Sequence, residues 1–180
     1  MQINKLEVKN ISYYARGSEE TPCYNATVYV NGKKAIEVSN DGHGGCDRQY
    51  GIGDFNYKTV DEVNKWCVKT FGQGSFNYTS DGEEKTCTYD IDLEHHCHDE
   101  LYKWLDTKQL KKEMKNQYIC IDEDKVENKQ FLVAWKKGTK GNNADDYFKN
   151  FLKTDYPHMV DKCLNFLPFD QALKLFKEYT

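Results

Sequence analysis

The sequence predicts an α+β fold: an N-terminal three-stranded antiparallel meander, further β-hairpins and four to five helices. Three observations carry that expectation. Residues 24–30 alternate at period two and run into an Asn31-Gly32 turn. Later segments carry apolar residues at helical spacing. Strands and helices follow one another in blocks rather than in the regular alternation of a parallel βαβ sheet.

Taken in order, Leu6 and Val8 alternate with charges, and Ile11, Tyr13 and Ala15 resume the pattern after Asn10, where a slip of one residue predicts a bulge. Tyr24, Ala26, Val28 and Val30 then form one face of the second strand, and Ala35 to Val38 return as the third. A glycine-rich stretch, Asn40-Asp41-Gly42-His43-Gly44-Gly45-Cys46, follows. Val60, Val63, Cys67 and Phe71 predict a helix with Thr59 as N-cap and Gly72 as its stop. Residues 75–90 read as a second hairpin about Ser80-Asp81-Gly82.

A longer helix should begin near Asp92, with Leu93, Cys97, Leu101, Trp104 and Leu105 on its apolar stripe. A break at Asp106-Thr107 is expected before Leu110 to Met114. Residues 118–121 and 131–135 read as strands, and Lys136 to Asn143 as a polar loop whose last residue caps a helix carrying Tyr147, Phe148, Phe151 and Leu152. Pro168 suits the first position of the final helix, with Ala172, Leu173 and Phe176 inward. The expected organisation is one compact domain, with a β-rich lobe over 1–91 and a mainly helical lobe with a hairpin over 92–180.

Composition narrows the function classes. A chain of 180 residues buries a sizeable core, and 13 Tyr, 9 Phe and 3 Trp make up for a modest 38% of hydrophobic residues. The balance of 25 Lys+Arg against 29 Asp+Glu, net −4, excludes a bulk basic field for polyanions. No apolar run approaches the roughly 20 residues of a membrane span, so no membrane partner is expected. Met1 to Lys5 lack the apolar stretch of a signal peptide, and the seven cysteines, with no Cys-x-x-Cys pair, read as reduced thiols. The expected location is the cytoplasm.

Two constellations stand out. Asp41, Gly42, His43, Gly44, Gly45 and Arg48 are set in a turn whose glycines allow positive φ, so that consecutive amides can form an anion-holding nest with His43 and Arg48 as side-chain partners. Against this stands a plain tight loop leaving a strand. The cluster His95-His96-Cys97-His98-Asp99 offers His95 with His98 or Asp99 on one helix face. A third ligand would have to come from elsewhere, such as His43 or Cys87. The ligand spacings of a structural zinc site and the His-Glu-x-x-His of a hydrolase are both missing, so no metal and no other cofactor is expected. No Ser, Cys or Thr sits in a nucleophile motif, so no catalytic residue is assigned. Lys108, Lys111, Lys112 and Lys115 form a basic helix face, with Lys136, Lys137 and Lys140 in a basic loop.

Ser18-Glu19-Glu20-Thr21, Ala26-Thr27-Val28-Tyr29-Val30 with Asn31-Gly32-Lys33, and Ser39-Asn40-Asp41-Gly42-His43-Gly44-Gly45 resemble a family of small bacteriophage and prophage proteins. The segment Leu164 to Leu173 is similar to the closing segment of that family. The resemblance implies an accessory gene of a phage acting in the host bacterial cell. In size and style the chain also looks like some type II anti-CRISPR proteins, although no motif of that class is matched. Three expectations follow. The first is a non-enzymatic interaction protein that inhibits a host defence nuclease, such as a CRISPR effector with its guide RNA, by stoichiometric binding, with Glu19, Glu20, Asp41, Gly42, His43, Gly44, Gly45 and Arg48 among the contact residues. The second is a protein or enzyme acting on a nucleotide or other phosphorylated ligand at Gly42 to Gly45 with His43. The third is a nucleic-acid binder using the Lys108–Lys115 face.

Overall fold

The computed structural model describes residues 1–122, 132–138 and 144–179 and has the α+β architecture the sequence predicts. The chain divides into two compact units, Met1–Tyr102 and Lys103–Thr180, so the division falls within a helix rather than ahead of it.

In the first unit, β1 (Leu6–Tyr13), β2 (Tyr24–Val30), β3 (Lys33–Asn40) and β4 (Arg48–Gly51) form one antiparallel sheet in sequential order. The meander therefore has a fourth strand: the chain leaving the glycine-rich turn pairs back on β3, with Ser39 opposite Arg48 and Ile36 opposite Gly51. The bulge sits where the pattern slips, because the β1–β2 register shifts between Lys9 and Ser12, and Asn10 takes φ 54°. Asn31 and Gly32 take φ 51° and 81°, the doubly left-handed pair that a two-residue hairpin requires. Tyr24, Ala26, Val28 and Val30 are buried, as are Ala35, Ile36 and Val38 of β3.

Helix α1 (Tyr57–Phe71) starts one turn earlier than the valine spacing predicts. Asn56, not Thr59, is the N-cap: its side chain accepts from the Lys58 amide at 2.9 Å, while the Thr59 hydroxyl accepts from the Asn56 amide at 3.3 Å. Thr59 thus closes a capping box from inside the helix. Asn56→Ala is expected to lower stability by about 1 kcal/mol, the usual cost of an N-cap, measurable as a lower urea midpoint. Gly72 ends the helix at φ 75°. Next, β5 (Gln73–Ser80) and β6 (Glu83–Asp90) pair as a separate two-stranded ribbon turning at Asp81-Gly82. The first turns of α2 (Leu93–Asn116) complete the unit with Leu93, Cys97 and Leu101 buried.

The expected break at Asp106-Thr107 is absent; α2 is continuous. Neither residue forbids helical dihedrals, and Asp106 pairs with Lys177 at 3.7 Å. In the second unit, β7 (Gln117–Ile121) pairs antiparallel with β8 (Leu132–Lys136). Strand β7 is buried on both faces. Ile119 and Ile121 join Leu110, Leu164, Ala172 and Phe176, while Tyr118 and Cys120 join Phe148, Leu152, Met159 and Cys163. Helix α3 (Ala144–Asp155) is followed by 3-10 turns at Pro157–Lys162 and Leu164–Phe166, then by α4 (Phe169–Tyr179). Pro168 lies just ahead of α4 and supplies the carbonyl that accepts from the Ala172 amide. The expected strand residue Phe131, Lys140 and the cap at Asn143 lie outside the described residues. No helix among the described residues is long and apolar enough to cross a membrane.

Candidate functional site

The residues singled out around the glycine-rich turn do come together. Gly42, Gly44 and Gly45 take φ of 89°, 91° and 86°. The Gly42 carbonyl accepts from the amides of Glu19, Glu20 and Thr21 at 3.0, 3.0 and 3.3 Å. The concavity of converging amides therefore forms on the Glu19–Thr21 segment, and the chain's own carbonyl fills it. Two of the turn's own donors are engaged as well. The Gly42 amide reaches Asn40 Oδ1 at 2.9 Å, and the Gly44 amide reaches Thr21 Oγ1 at 3.2 Å. Above this framework lie two exposed contacts, His43 Nδ1 to Glu19 Oε2 at 3.2 Å and the Arg48–Asp41 ion pair at 2.5 Å. The Arg48 charge holds the Asp41 carboxyl below its ordinary range. Glu20 lies over Gly44, where an added Cβ would sit 2.5 Å from its Oε2.

What the turn builds is a polar node at its far end. Asn40 is buried and uses all four hydrogen-bonding positions of its amide. Its oxygen accepts from Thr21 Oγ1 at 2.7 Å and from the Gly42 amide; its nitrogen donates to the Gly45 carbonyl at 3.2 Å and to Asp47 Oδ1 at 3.1 Å. The Asp47 side chain is 0% exposed. Its second oxygen accepts from the Tyr24 hydroxyl, and His98 Nε2 of α2 lies 3.3 Å from Oδ1. The contact with Asp47 raises the His98 pKa, outweighing the opposing effect of burial. Burial and the Asp47 hydrogen bond push the Tyr24 phenol far up, so it remains a donor. Glu94, one helical turn before His98, completes the group: donor atoms of Asp47, Glu94 and His98 all lie within 4.8 Å of one another.

The histidine turn does not present one face. His95 hydrogen-bonds Asp92 at 2.8 Å and stacks on Tyr89 of β6 at 4.6 Å; His96 stacks on Phe71 at 4.7 Å; only His98 meets Asp47. Asp99 is exposed and is not among the three clustered donors. His43 and Cys87, considered as third ligands, are likewise not among them. Asp47 and Glu94 were not legible as site residues. The only signal for Glu94 was its i, i+4 spacing to His98, and Asp47 carried none.

Among the described residues the His98 ring meets the Asp47 carboxylate and the edge of the Tyr24 ring. All seven cysteines are free thiols. Burial pushes the Cys67 thiol up to about 12 and the Cys97 thiol higher still, so neither supplies a thiolate at neutral pH.

On the basic face of α2, Lys108 lies over the Trp104 ring at 3.8 Å and Lys111 over Phe169 at 5.0 Å, so two of the four lysines cover aromatic surface. Lys112 lines a shallow depression with Leu105 and Glu113, and Lys115 is exposed. Lys137 sits over Tyr118 at 4.6 Å.

The β5–β6 ribbon is the most exposed element. One face carries Gly74, Phe76 and Tyr78 opposite Tyr89, Cys87 and Lys85; the other carries Ser75, Asn77 and Thr79 opposite Thr88, Thr86 and Glu84. Tyr89 covers Gly74 and anchors the ribbon base on His95, while Phe76 and Tyr78 remain 53% and 44% exposed. Over Gln73–Asp90 the carboxylates of Asp81, Glu83, Glu84 and Asp90 face one cation, Lys85.

Comparison with family models, with curated proteins and with solved structures found no match. The functional reading therefore rests on the chemistry of these surfaces.

Proposed function

We propose that the chain is a non-enzymatic interaction protein that inhibits a nuclease stoichiometrically by placing the β5–β6 ribbon in the enzyme's basic nucleic-acid groove. The observation that carries this reading is the ribbon's combination of an exposed aromatic face and an acidic tip. A two-stranded ribbon with one apolar face is marginal on its own, so a surface that covers Phe76 and Tyr78 stabilises it. Carboxylates at Asp81, Glu83 and Glu84 repel nucleic acid and match a cationic groove. The resemblance to phage proteins directs the choice of partner to host defence nucleases, with guide-loaded CRISPR effectors first. Two findings favour this reading over a phosphorylated ligand at Gly42–Gly45. The amides of Gly42 and Gly44 are taken by the chain's own acceptors, and His43 is closed on Glu19.

Titration of a panel of guide-loaded type II effector nucleases at several fixed concentrations tests it. The expected equivalence point tracks nuclease concentration and is unchanged by His43→Ala. Phe76→Ala combined with Tyr78→Ala should weaken inhibition by about 100-fold or more while leaving the fold intact, as central aromatic anchors do. Inhibition by trace protein that grows with time, or full inhibition by the double variant, would refute the proposal. Absence of inhibition across the panel would remove the nuclease assignment.

A further inference from the structure

Asp47, Glu94 and His98 bring one donor atom each within 4.8 Å of the other two, the residue types and proximity that a metal site needs. We infer that they bind one divalent cation of the zinc class, with the fourth position left to water. His98 Nε2 and Asp47 Oδ1 stand 3.3 Å apart, and with metal bonds of about 2.0–2.1 Å that separation subtends about 110°, the tetrahedral angle. Those two donors are therefore already spaced for a shared ion. Glu94 lies on the same helix face one turn before His98, its donor atom within 4.8 Å of the other two, and its carboxylate makes no hydrogen bond to another described residue.

Charge points the same way. Asp47 is fully buried, and among the groups that bond it, Tyr24, Asn40 and His98, there is no lysine or arginine. A divalent ion held between Asp47 and Glu94 offsets the charges of both carboxylates. The surroundings of Asp47 also resemble a ligand shell, because Tyr24 and Asn40 fix its orientation through hydrogen bonds and are themselves held by the fold. On this reading the glycine-rich turn serves to carry Asn40 and Asp47 together to the first turns of α2. The mixed oxygen and nitrogen donor set suits zinc and its neighbours and disfavours calcium or magnesium, which prefer oxygen alone.

The test uses full-length protein stripped with a chelator and then titrated with zinc chloride alone. Binding is followed by calorimetry, with the thermal midpoint read in parallel. The expected result is saturation at one equivalent with a rise in the midpoint. Glu94→Gln, whose side chain anchors nothing else among the described residues, should fold normally, weaken zinc by more than about 100-fold and abolish the midpoint rise; outer-shell changes alone typically cost 10–100-fold. His95→Gln, in the same turn but bonded to Asp92, should bind as wild type does. Absence of saturable binding at one equivalent would overturn the inference. So would binding that survives Glu94→Gln, which would locate the ion elsewhere in the chain.

Discussion

Gly42→Ala is expected to lower the stability of the first unit by roughly 3–5 kcal/mol, whereas Gly45→Ala, three residues away, should cost only about 1–2 kcal/mol. Both glycines have similar backbones, with φ 89° and 86°, so the left-handed penalty is common to the two variants. Their surroundings differ. A Cβ on Gly42 would stand 1.8 Å from the Gly17 carbonyl oxygen and 2.9 Å from the Cys23 Cβ, while a Cβ on Gly45 meets nothing within 4 Å. Relief of the Gly42 contact needs a backbone shift, and that backbone is engaged at both ends: its carbonyl accepts from three amides and its amide donates to Asn40. Urea unfolding of the two variants side by side, followed by circular dichroism, gives the comparison. Equal losses would show that the close approach of Gly42 to Gly17 is not what holds the turn.

The same contrast explains which parts of the molecule were legible in the sequence. Local rules sufficed where each residue's conformation is set by its immediate neighbours. The period-two face of Tyr24 to Val30, the Asn31-Gly32 turn, the slip at Asn10 and the Asp81-Gly82 hairpin are all where the pattern places them. Rules of spacing erred by a turn where a cap lies outside the apolar stripe, as Asn56 does. Strand β4 was not legible because four residues ending in glycine carry little strand signal, and its pairing with β3 depends on the turn that leads the chain back.

The node was hidden for a deeper reason. Asp47 and His98 are 51 residues apart and belong to a loop and a helix that meet only in the folded chain. The histidine turn misled in the opposite sense. Three neighbouring imidazoles look like one ligand set, yet successive helix positions point about 100° apart, and each ring meets a different element.

The most informative single substitution in the node is Asn40→Asp, an almost isosteric change that reverses the hydrogen-bonding sense of one atom. The wild-type nitrogen donates to the Gly45 carbonyl and to Asp47 Oδ1, both acceptors. A carboxylate oxygen in its place sets three acceptors against one another in a buried site and adds a negative charge beside Asp47, whose side chain has no solvent access. The expected loss at neutral pH is about 3–5 kcal/mol, the range for an uncompensated buried charge. The pH dependence has a fixed sign. Burial and the neighbouring carboxylate raise the folded-state pKa of the introduced carboxyl above its unfolded value of about 3.9. The folded state therefore binds the proton more tightly, and the deficit relative to wild type shrinks as pH falls through that raised pKa toward about 4. A residual deficit of about 1 kcal/mol should persist there, because a protonated carboxyl donates one hydrogen bond where the amide donated two. Asn40→Ala, which removes the amide without adding charge, should show a loss independent of pH over the same range. Parallel stability profiles for the two variants and wild type between pH 4 and pH 8 make the measurement. Coincident slopes for Asn40→Asp and Asn40→Ala would mean that the Asp47 pocket admits water freely and that the node is not the closed polar core its hydrogen bonds describe.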